Sequence, residues 1–301
     1  MALLAMLKKY STDEKCREIL TKLRWPEGVR CPRCKETQVC YLADRKQFEC
    51  SCGYQFSVTT GTVFNDTHLP LETWFAATYL LCEAKKGMSA CQIQRTLGIG
   101  GYKTAWYLCH RIRHAMAQTD KPMLDGKVEM DVTYVGGWNR GKGQVGKMDN
   151  KHVVVGIRKR SGDLRFFHAG DAKAGTLAKY IRENISEDVE VIFTDDASAN
   201  EVAVKKTQPG KQKVIKHSSG VYVMGDIHTN TVESAFSLLK RGIAGTWHRI
   251  SAKHLASYLE EMTFRFNRRK NPNLFLDTLR HMITSSVLTF QNLTTEKKAV
   301  A

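Results

Sequence analysis

The sequence predicts an α/β protein in which a mixed-sheet domain follows a small cysteine-rich unit and a pair of helices. Three observations lead to this prediction. Five of the nine cysteines fall within 22 residues, between Cys31 and Cys52. Helical hydrophobic spacing dominates residues 69–117, and short β-rich segments alternate with amphipathic helices from Val128 onward. Strands that cluster first and then alternate with helices are typical of a mixed α/β sheet.

The composition excludes a disordered chain and indicates a polyanionic partner. Of the 301 residues, 42% are hydrophobic and 9% aromatic, which is enough to form a packed core. The net charge of +16 favours nucleic acid, because each Lys or Arg near a phosphate releases a condensed counterion. No segment has the length and apolarity of a membrane span, and the opening MALLAML is too short for a signal peptide. We therefore expect a cytoplasmic protein, nucleoid-associated in a bacterium, with no membrane partner.

The cysteine spacing predicts a zinc ribbon. The pattern is Cys31-Pro-Arg-Cys34, then fifteen residues, then Cys50-Ser-Cys52. Four thiolates on two turns bind Zn²⁺ in a closed tetrahedral site, which is structural and supplies folding energy that so small a unit lacks. The second pair is one residue shorter than the usual spacing, so Cys40 is an alternative ligand. A local cluster within an odd total favours metal binding in a reducing compartment over disulfides.

The next segment predicts two short helices joined by a glycine turn. Ser89-x-x-Gln92 is a capping box at the start of the first helix, and Gly98–Gly101 forms the turn. Such a pair, with a basic second helix, fits a helix-turn-helix that reads the major groove of DNA, although a helix pair without that function has the same periodicity. The second helix should turn Ala105, Leu108 and Ile112 inward. The side chains expected to face outward are Lys103, Thr104, Tyr107, Arg111 and Arg113.

Several acids lie in apolar segments of the mixed-sheet region. Asp131 interrupts the strand VEMDVTYV, Asp195 and Asp196 end the strand VIFTDD, and Glu233 lies in the helix NTVESAFSLLKRG. A buried carboxylate is unfavourable unless it is paired or bound to metal. Two strand acids and one helix acid could therefore converge and hold two Mg²⁺ ions for phosphodiester chemistry. Adjacent acids point to opposite sides of a strand, so at most one of Asp195 and Asp196 faces such ions. The strand is apolar on both faces, and its alternation does not choose between them.

Seven motifs occur in a fixed order along the chain. They are CPRC, FECSCGYQFSVTTGTVF, KTAWYLCHRIR, MDVTYVGG, TDDAS, HTNTVESAFSLLKRGIAGTWHRIS and YLEEMTFRFNRR. Together they resemble one family, the DDE-type transposases of bacterial insertion sequences that carry a zinc-ribbon N-terminus and are related to the eukaryotic Merlin elements. The resemblance covers about residues 12–275 and implies a ribonuclease-H-like catalytic domain that uses two Mg²⁺ or Mn²⁺ ions. It implies that Asp131, Asp195 and Glu233 are the catalytic metal ligands, because the second acid of the family follows a Thr at a strand end.

Basic segments flank these acids in the sequence. Residues 136–160, 202–225 and 240–270 are rich in Lys and Arg and poor in acids, which would neutralise DNA phosphates near a metal pair. A solvated basic face is the alternative for any one segment. Trp138, Trp247 and His248 could stack on a base or wedge into a distorted duplex end, although a Trp is more often part of a core. The predicted DNA contacts are Lys103, Tyr107, Arg111, Arg113, Lys142, Lys147, Lys240, Arg241, Trp247, His248 and Arg268.

Two polar residues precede Glu233 closely enough to support it. His228 and Asn230 are expected to orient a metal ligand or a phosphate. The alternative role for Asn230 is to cap the helix that carries Glu233.

The resemblance also implies the activity and the domain order. A DNA transposase of this kind binds the terminal repeats of its element, cleaves to expose 3′-OH ends and transfers them to target DNA, in a homodimer or a larger synaptic assembly. A metal-dependent nuclease or resolvase of the same fold, and a catalytically dead DNA-binding regulator, are the alternatives. The predicted domains are the N-terminal helix and zinc ribbon (1–65), the helix-turn-helix (66–120), the catalytic domain (121–285) and a tail (286–301).

Overall fold

The chain folds into two compact units. A computed structural model describes residues 2–117, 121–136, 151–215 and 228–295. The first unit combines residues 1–117 with residues 268–301, and the second comprises residues 118–267. The second unit thus ends at residue 267, whereas the predicted catalytic domain ends at residue 285. Residues 268–285 belong to the first unit.

The first unit begins with two helices and a small antiparallel sheet. Val39 pairs with Cys50 across the first two strands, and Phe48 pairs with Phe56 across the last two. The buried cluster at this sheet comprises Cys50 and Phe56 of the strands and Cys31 from the preceding turn. A core this small cannot stabilise a fold by apolar burial alone, so the sheet needs a cross-link. The elements are α1 (Leu3–Lys9), α2 (Asp13–Arg24), β1 (Val39–Leu42), β2 (Gln47–Cys50) and β3 (Gln55–Phe56).

Three more helices follow in the first unit, α3 (Leu71–Glu83), α4 (Ala90–Leu97) and α5 (Tyr102–Met116). Gln92 N donates to Ser89 Oγ at 3.2 Å, and this contact caps α4 as predicted. Gly98 takes a φ of 64° and ends α4, since only glycine adopts that conformation without strain. Ala105, Leu108 and Ile112 are buried, so the inward face of α5 is confirmed.

A mixed five-stranded sheet forms the centre of the second unit, in the order β6-β5-β4-β7-β8. Strands β4, β5 and β6 pair antiparallel, whereas β4, β7 and β8 pair in parallel. This confirms the predicted α/β class and agrees with a ribonuclease-H-like domain. The strands are β4 (Lys127–Gly136), β5 (Lys151–Lys159), β6 (Leu164–Ala169), β7 (Val191–Asp195) and β8 (Gln212–Ile215).

Helices cover both faces of this sheet. On one face α6 and α7 pack on Met130 and Ile157, and on the other α8 and α9 pack on Val154 and Phe166. A π-helical turn, Ile243–Trp247, links α8 to α9. Strand β4 is therefore enclosed on both sides, and any acid on it lies close to an apolar core. The helices are α6 (Ala174–Asn184), α7 (Ser198–Thr207), α8 (Asn230–Gly242) and α9 (Ala252–Asn267).

Helix α8 approaches the sheet closely at Gly156, which is the β5 partner of Asp131. A Cβ atom at Gly156 would lie 2.6 Å from Phe236 Cζ and 2.9 Å from Val232 Cγ2. Stable packing does not allow such short distances. The missing side chain at Gly156 is therefore the reason that α8 can lie directly on the sheet.

Two C-terminal helices, α10 (Leu274–Thr284) and α11 (Phe290–Thr294), complete the first unit. Helix α10 packs against α2, α3 and α5. Tyr107 Oη donates to the carbonyl of Leu288, and the Phe290 ring meets the Tyr107 ring edge-on. The segment predicted as a tail thus contains a packed helix. Within the described residues, no helix combines the length and apolarity that crossing a membrane requires.

The contact at Gly156 can be tested by adding one methyl group. We expect Gly156→Ala to lower the free energy of unfolding by about 1–3 kcal/mol, because Phe236 and Val232 must shift. Gly170→Ala is the control, since a Cβ atom there meets nothing within 4 Å; its effect should stay within about 0.5 kcal/mol. Urea unfolding of both variants measures the difference, and equal losses would contradict a tight contact.

Candidate metal centres and nucleic-acid interface

The four predicted cysteine ligands lie together. All four sulfurs are within 4.8 Å of one another. Cys31 Sγ is 3.9 Å from Cys52 Sγ, and Cys34 Sγ is 3.5 Å from Cys50 Sγ. Tetrahedral coordination with Zn–S bonds of about 2.3 Å separates sulfurs by about 3.8 Å. The spacing of these sulfurs therefore fits a structural Zn²⁺.

The shorter second cysteine pair reaches the site, and the alternative ligand is not used. Cys40 is exposed, and its Sγ lies 3.6 Å from the carbonyl oxygen of Glu49. Each pair is followed by a residue with positive φ, Lys35 at 67° and Gly53 at 77°. Their backbone N–H groups donate to the carbonyls of Cys31 and Cys50, respectively. These tight turns bend the chain so that both pairs present their sulfurs to one point.

The surroundings of the first cysteine pair favour the thiolate of Cys31 and oppose that of Cys34. Burial opposes ionisation of Cys31, but backbone N–H groups of Cys34 and Arg33, with neighbouring thiols, lower its pKa to about 7. For Cys34, the backbone N–H of Glu36 favours the thiolate, yet burial and the neighbouring thiols raise its pKa to about 12. Complete ionisation therefore needs a cation, and metal binding at this site must release protons.

Two of the three predicted acids have corresponding positions on neighbouring strands. Strands β4 and β7 pair in parallel as far as Glu129 and Phe193. Asp131 and Asp195 are each two residues farther along, so alternation gives them the same face as Glu129 and Phe193. Both acids are half-buried, whereas Asp196 is exposed. Of the two adjacent acids, Asp195 therefore has the position on β7 that corresponds to Asp131 on β4.

The third acid lies on the helix that packs over these strands. Glu233 follows Val232, and Val232 contacts Gly156, the cross-strand partner of Asp131. Glu233 is half-buried at the first turn of α8. The helix turn that carries Glu233 thus lies over the part of the sheet that contains Asp131.

One oxygen of each carboxylate accepts a hydrogen bond that orients the side chain. Carboxylate oxygens are the ligands that Mg²⁺ prefers, so the donor chemistry fits a hard divalent cation. Within the described parts of the chain, however, the cysteines form a metal-ligand cluster and these acids do not. The orienting contacts are Val132 N to Asp131 Oδ1 at 2.6 Å, Ala197 N to Asp195 Oδ1 at 3.2 Å and Thr229 Oγ1 to Glu233 Oε1 at 2.5 Å.

A fourth acid, Glu129, was not singled out from the sequence. It is 0% exposed and accepts hydrogen bonds from the backbone N–H groups of Thr231 and Val232, both at 3.0 Å. Thr231 Oγ1 donates at 2.7 Å and Arg160 Nε at 2.8 Å. The available signal was an acid two residues before Asp131 in the same apolar strand, which puts both on one face.

The two residues predicted to support Glu233, His228 and Asn230, have different surroundings. His228 Nδ1 lies 3.3 Å from Glu129 Oε1, and the His228 carbonyl accepts from Arg160 Nη2 at 2.8 Å. The contacts of His228 are thus with Glu129 and with Arg160, the ion-pair partner of Glu129. Asn230 is the exposed first residue of α8, and the residue before it, Thr229, makes no side-chain cap. The amides at this helix end are instead satisfied by Glu129.

Two predicted DNA contacts on α5 do not face outward. Arg111 is 4% exposed and Arg113 is 1% exposed, so the expectation for both is wrong. The Arg111 guanidinium lies 4.8 Å from the Trp74 ring centroid and 5.1 Å from that of Tyr107. Long cationic side chains can be buried against aromatic rings, and periodicity alone does not reveal this. Lys103 is exposed, and Tyr107 is half-buried.

Four predicted DNA contacts lie at the end of α8 and around the π-helical turn that follows it, and three of them are exposed. Lys240, Arg241 and His248 are exposed. Trp247 is 8% exposed and packs edge-on against Tyr258 with ring centroids 5.1 Å apart. The core alternative given for Trp247 therefore describes its place in this structure. The other predicted contacts are Arg268, which is half-buried in the first unit, and Lys142 and Lys147, which lie outside the described residues, as does Trp138.

Comparison with known proteins finds matches to the segment that carries the three acids and to the segment that carries the cysteine cluster. Residues 123–267 match the sequence model of the ISXO2-like transposase domain, and residues 11–55 match that of the transposase zinc-ribbon domain. The chain is also similar to a protein of Halobacterium salinarum described as an uncharacterized protein in transposable element ISH50. The two are 27% identical over 280 residues, which covers 86% of this chain and 92% of that protein. The matched segments contain the three acids and the cysteine cluster, respectively.

The zinc site can be tested by removing one sulfur. We expect the purified chain to contain one Zn²⁺, and Cys34→Ser to lose most of it because three thiolates do not close the site. Cys40→Ser is the matched control and should retain the metal. Elemental analysis, with thermal unfolding in the presence and absence of a chelator, measures both effects. Zinc loss in the Cys40 variant and not in the Cys34 variant would contradict this ligand set.

Proposed function

This chain belongs to the insertion-sequence transposases that carry a zinc ribbon and an ISXO2-like transposase domain, and we propose that it cleaves and joins DNA. In this proposal it binds the terminal repeats of its element and cleaves to expose 3′-OH ends. It then transfers those ends to a target phosphodiester. Because two ends must be handled together, the working form is a homodimer or a larger synaptic assembly.

The observation that carries the proposal is the arrangement of three acids around β4. Asp131 and Asp195 each lie two residues beyond Glu129 and Phe193, the last paired residues of the neighbouring parallel strands β4 and β7. Glu233 is on a helix turn whose Val232 fits against Gly156, the partner of Asp131. Such a set of carboxylates at the end of a mixed sheet supports metal-dependent phosphodiester chemistry.

The proposed roles of the acids follow from their surroundings. In this proposal Asp131, Asp195 and Glu233 would hold divalent cations such as Mg²⁺ or Mn²⁺, which would supply activation of the attacking oxygen and stabilisation of the leaving oxygen of a phosphodiester. Each has one oxygen oriented by a hydrogen bond, which limits its side-chain rotation before DNA arrives. Asp196 is exposed and is not assigned a role.

The proposed DNA contacts are the exposed cations near these elements. Lys240 and Arg241 are in the last turn of α8, and His248 follows the π-helical turn. His248 has a φ of 56°, a conformation that non-glycine residues rarely adopt, and strain of this kind is common at functional positions. In the first unit, Lys103 is in the first turn of α5 and could contact a phosphate. The zinc ribbon and the pair α4–α5 are the proposed readers of the terminal repeats.

The decisive test is cleavage of labelled DNA that carries the terminal repeats flanking the gene. We expect the wild-type protein with Mg²⁺ to nick at the repeat boundary, and Asp131→Asn to lose at least about 1,000-fold in rate, since the metal contribution is several kcal/mol. DNA binding, measured by fluorescence anisotropy, should remain unchanged. Asp196→Asn is the matched control and should nick at the wild-type rate.

The products separate this proposal from its two rivals. Joined DNA supports a transposase, whereas nicked DNA that never joins supports a nuclease or resolvase of the same fold. Intact repeat binding without nicking in Mg²⁺ or Mn²⁺ supports a DNA-binding regulator. An Asp131→Asn variant that nicks at the wild-type rate would contradict the assigned site under any of these functions.

A separate test concerns the basic end of α8. We expect Lys240→Ala to weaken DNA binding about equally for all sequences and to reduce the slope of log affinity against log salt by about 1, because one phosphate contact is lost. Lys179→Ala is the control, since Lys179 is an exposed lysine on α6 that lies 4.0 Å from Glu183. Titrations at several salt concentrations measure both slopes. Equal slopes for Lys240→Ala and wild type would remove Lys240 from the interface.

A further inference from the structure

We propose that Glu129 is a positioning residue whose buried carboxylate holds α8 against β4 and thereby fixes Glu233 relative to Asp131. This inference rests on the function proposed above for the three acids. Glu129 lies in the same strand as Asp131, and a search for metal ligands could mistake it for a ligand. The proposal gives it a different role.

The carboxylate of Glu129 is committed to protein partners. Oε2 accepts from the backbone N–H groups of Thr231 and Val232 and from Thr231 Oγ1, which use its lone pairs. Oε1 accepts from Arg160 Nε, and His228 Nδ1 lies 3.3 Å from it. Because Glu129 is also fully buried, it acts through these partners.

The position of this cluster connects all three proposed ligands. Glu129 is two residues before Asp131 and Thr231 is two residues before Glu233, so one contact links the strand and the helix that carry them. The Arg160 guanidinium lies 3.9 Å from the ring centroid of Phe193, which is two residues before Asp195. Each proposed ligand is thus two residues from a member of the cluster formed by Glu129, Arg160, Phe193 and Thr231.

The electrostatics explain why the contact is stiff. A buried carboxylate without partners is strongly unfavourable, so its charge requires both Arg160 and the amides of α8. The first amides of a helix carry a partial positive charge and have no partner within the helix, which makes the carboxylate a favourable cap. Moving α8 away from β4 would break these contacts together. The close approach at Gly156 supplies the space that the same contact needs.

The test uses Glu129→Gln, which keeps the size of the side chain and removes its charge. The matched control is Glu261→Gln, because Glu261 is also fully buried and its Oε1 lies 3.1 Å from Arg265 Nη2 in α9. For both variants three quantities are measured. They are the hydrogen exchange of the amides in the first turn of α8, the Mn²⁺ concentration that gives half-maximal nicking, and the rise in unfolding temperature that Mn²⁺ produces.

We expect Glu129→Gln to speed exchange in the first turn of α8 and to raise the half-maximal Mn²⁺ concentration about 10- to 100-fold, as changes next to metal ligands do. Its Mn²⁺-induced rise in unfolding temperature should shrink accordingly. Glu261→Gln should match the wild type in all three after its general loss of stability is measured without Mn²⁺. If the two variants respond to Mn²⁺ alike, the positioning role is wrong.

Two further arms keep the inference separate from the proposed function. If the wild type does not nick but Mn²⁺ still stabilises it, and Asp131→Asn abolishes that stabilisation, the proposed reaction fails and the unfolding measurement alone decides the role of Glu129. If Glu129→Gln does not fold, Thr231→Val replaces it, because it removes one of the donors to Glu129 and keeps the backbone amide. A normal Mn²⁺ response in Thr231→Val, with unchanged exchange in α8, would then overturn the inference.

Discussion

The second unit depends on a negative charge that cannot reach water. Glu129 lies inside the sheet–helix interface, and its ionised form is tolerated there because Arg160 and the first amides of α8 surround it. The requirement acts on several elements at once, since Arg160 follows β5, α8 comes from a distant part of the chain, and the Phe193 ring on β7 packs under the guanidinium. Gly156 allows α8 to come close enough for these contacts, because any larger residue would hold Val232 and Phe236 away from the sheet.

This constraint also separates the acids of β4 by depth. Glu129 and Asp131 point to the same face, but Glu129 is fully buried and Asp131 is half-buried. Asp195 and Glu233 are also half-buried. The charge with fixed protein partners therefore lies inside, and the acids proposed for chemistry lie farther along the strands, where solvent has access. One strand thus carries both kinds of acid, which explains how E-M-D can occur inside an apolar sequence.

The sequence predicted most of this sheet but not all of the site. Strands β4 and β7 and helix α8 lie where the sequence predicts them, whereas β8 is a four-residue edge strand with the polar sequence QKVI. The expectation that Arg111 faces outward was wrong because helical spacing does not report aromatic partners such as Trp74 from elsewhere in the chain. Glu129 was missed for a related reason. Alternation gives it the same face as Asp131, and its donors come from residues about 30 to 100 positions away.

The two candidate metal centres differ in a way that physical chemistry explains. The cysteine turns bring four sulfurs within 4.8 Å, which is a closed set suited to a permanent structural ion. Each carboxylate is oriented by at least one hydrogen bond, and the three do not form such a cluster in the described residues. Three carboxylates held together without compensation would repel one another strongly, because like charges at a few ångströms disfavour ionisation. In our proposal Glu129, a separate buried acid, holds the backbones of β4 and α8 in place while the ligand side chains stay apart. The elements that carry the ligands are thus aligned without the repulsion between clustered carboxylates.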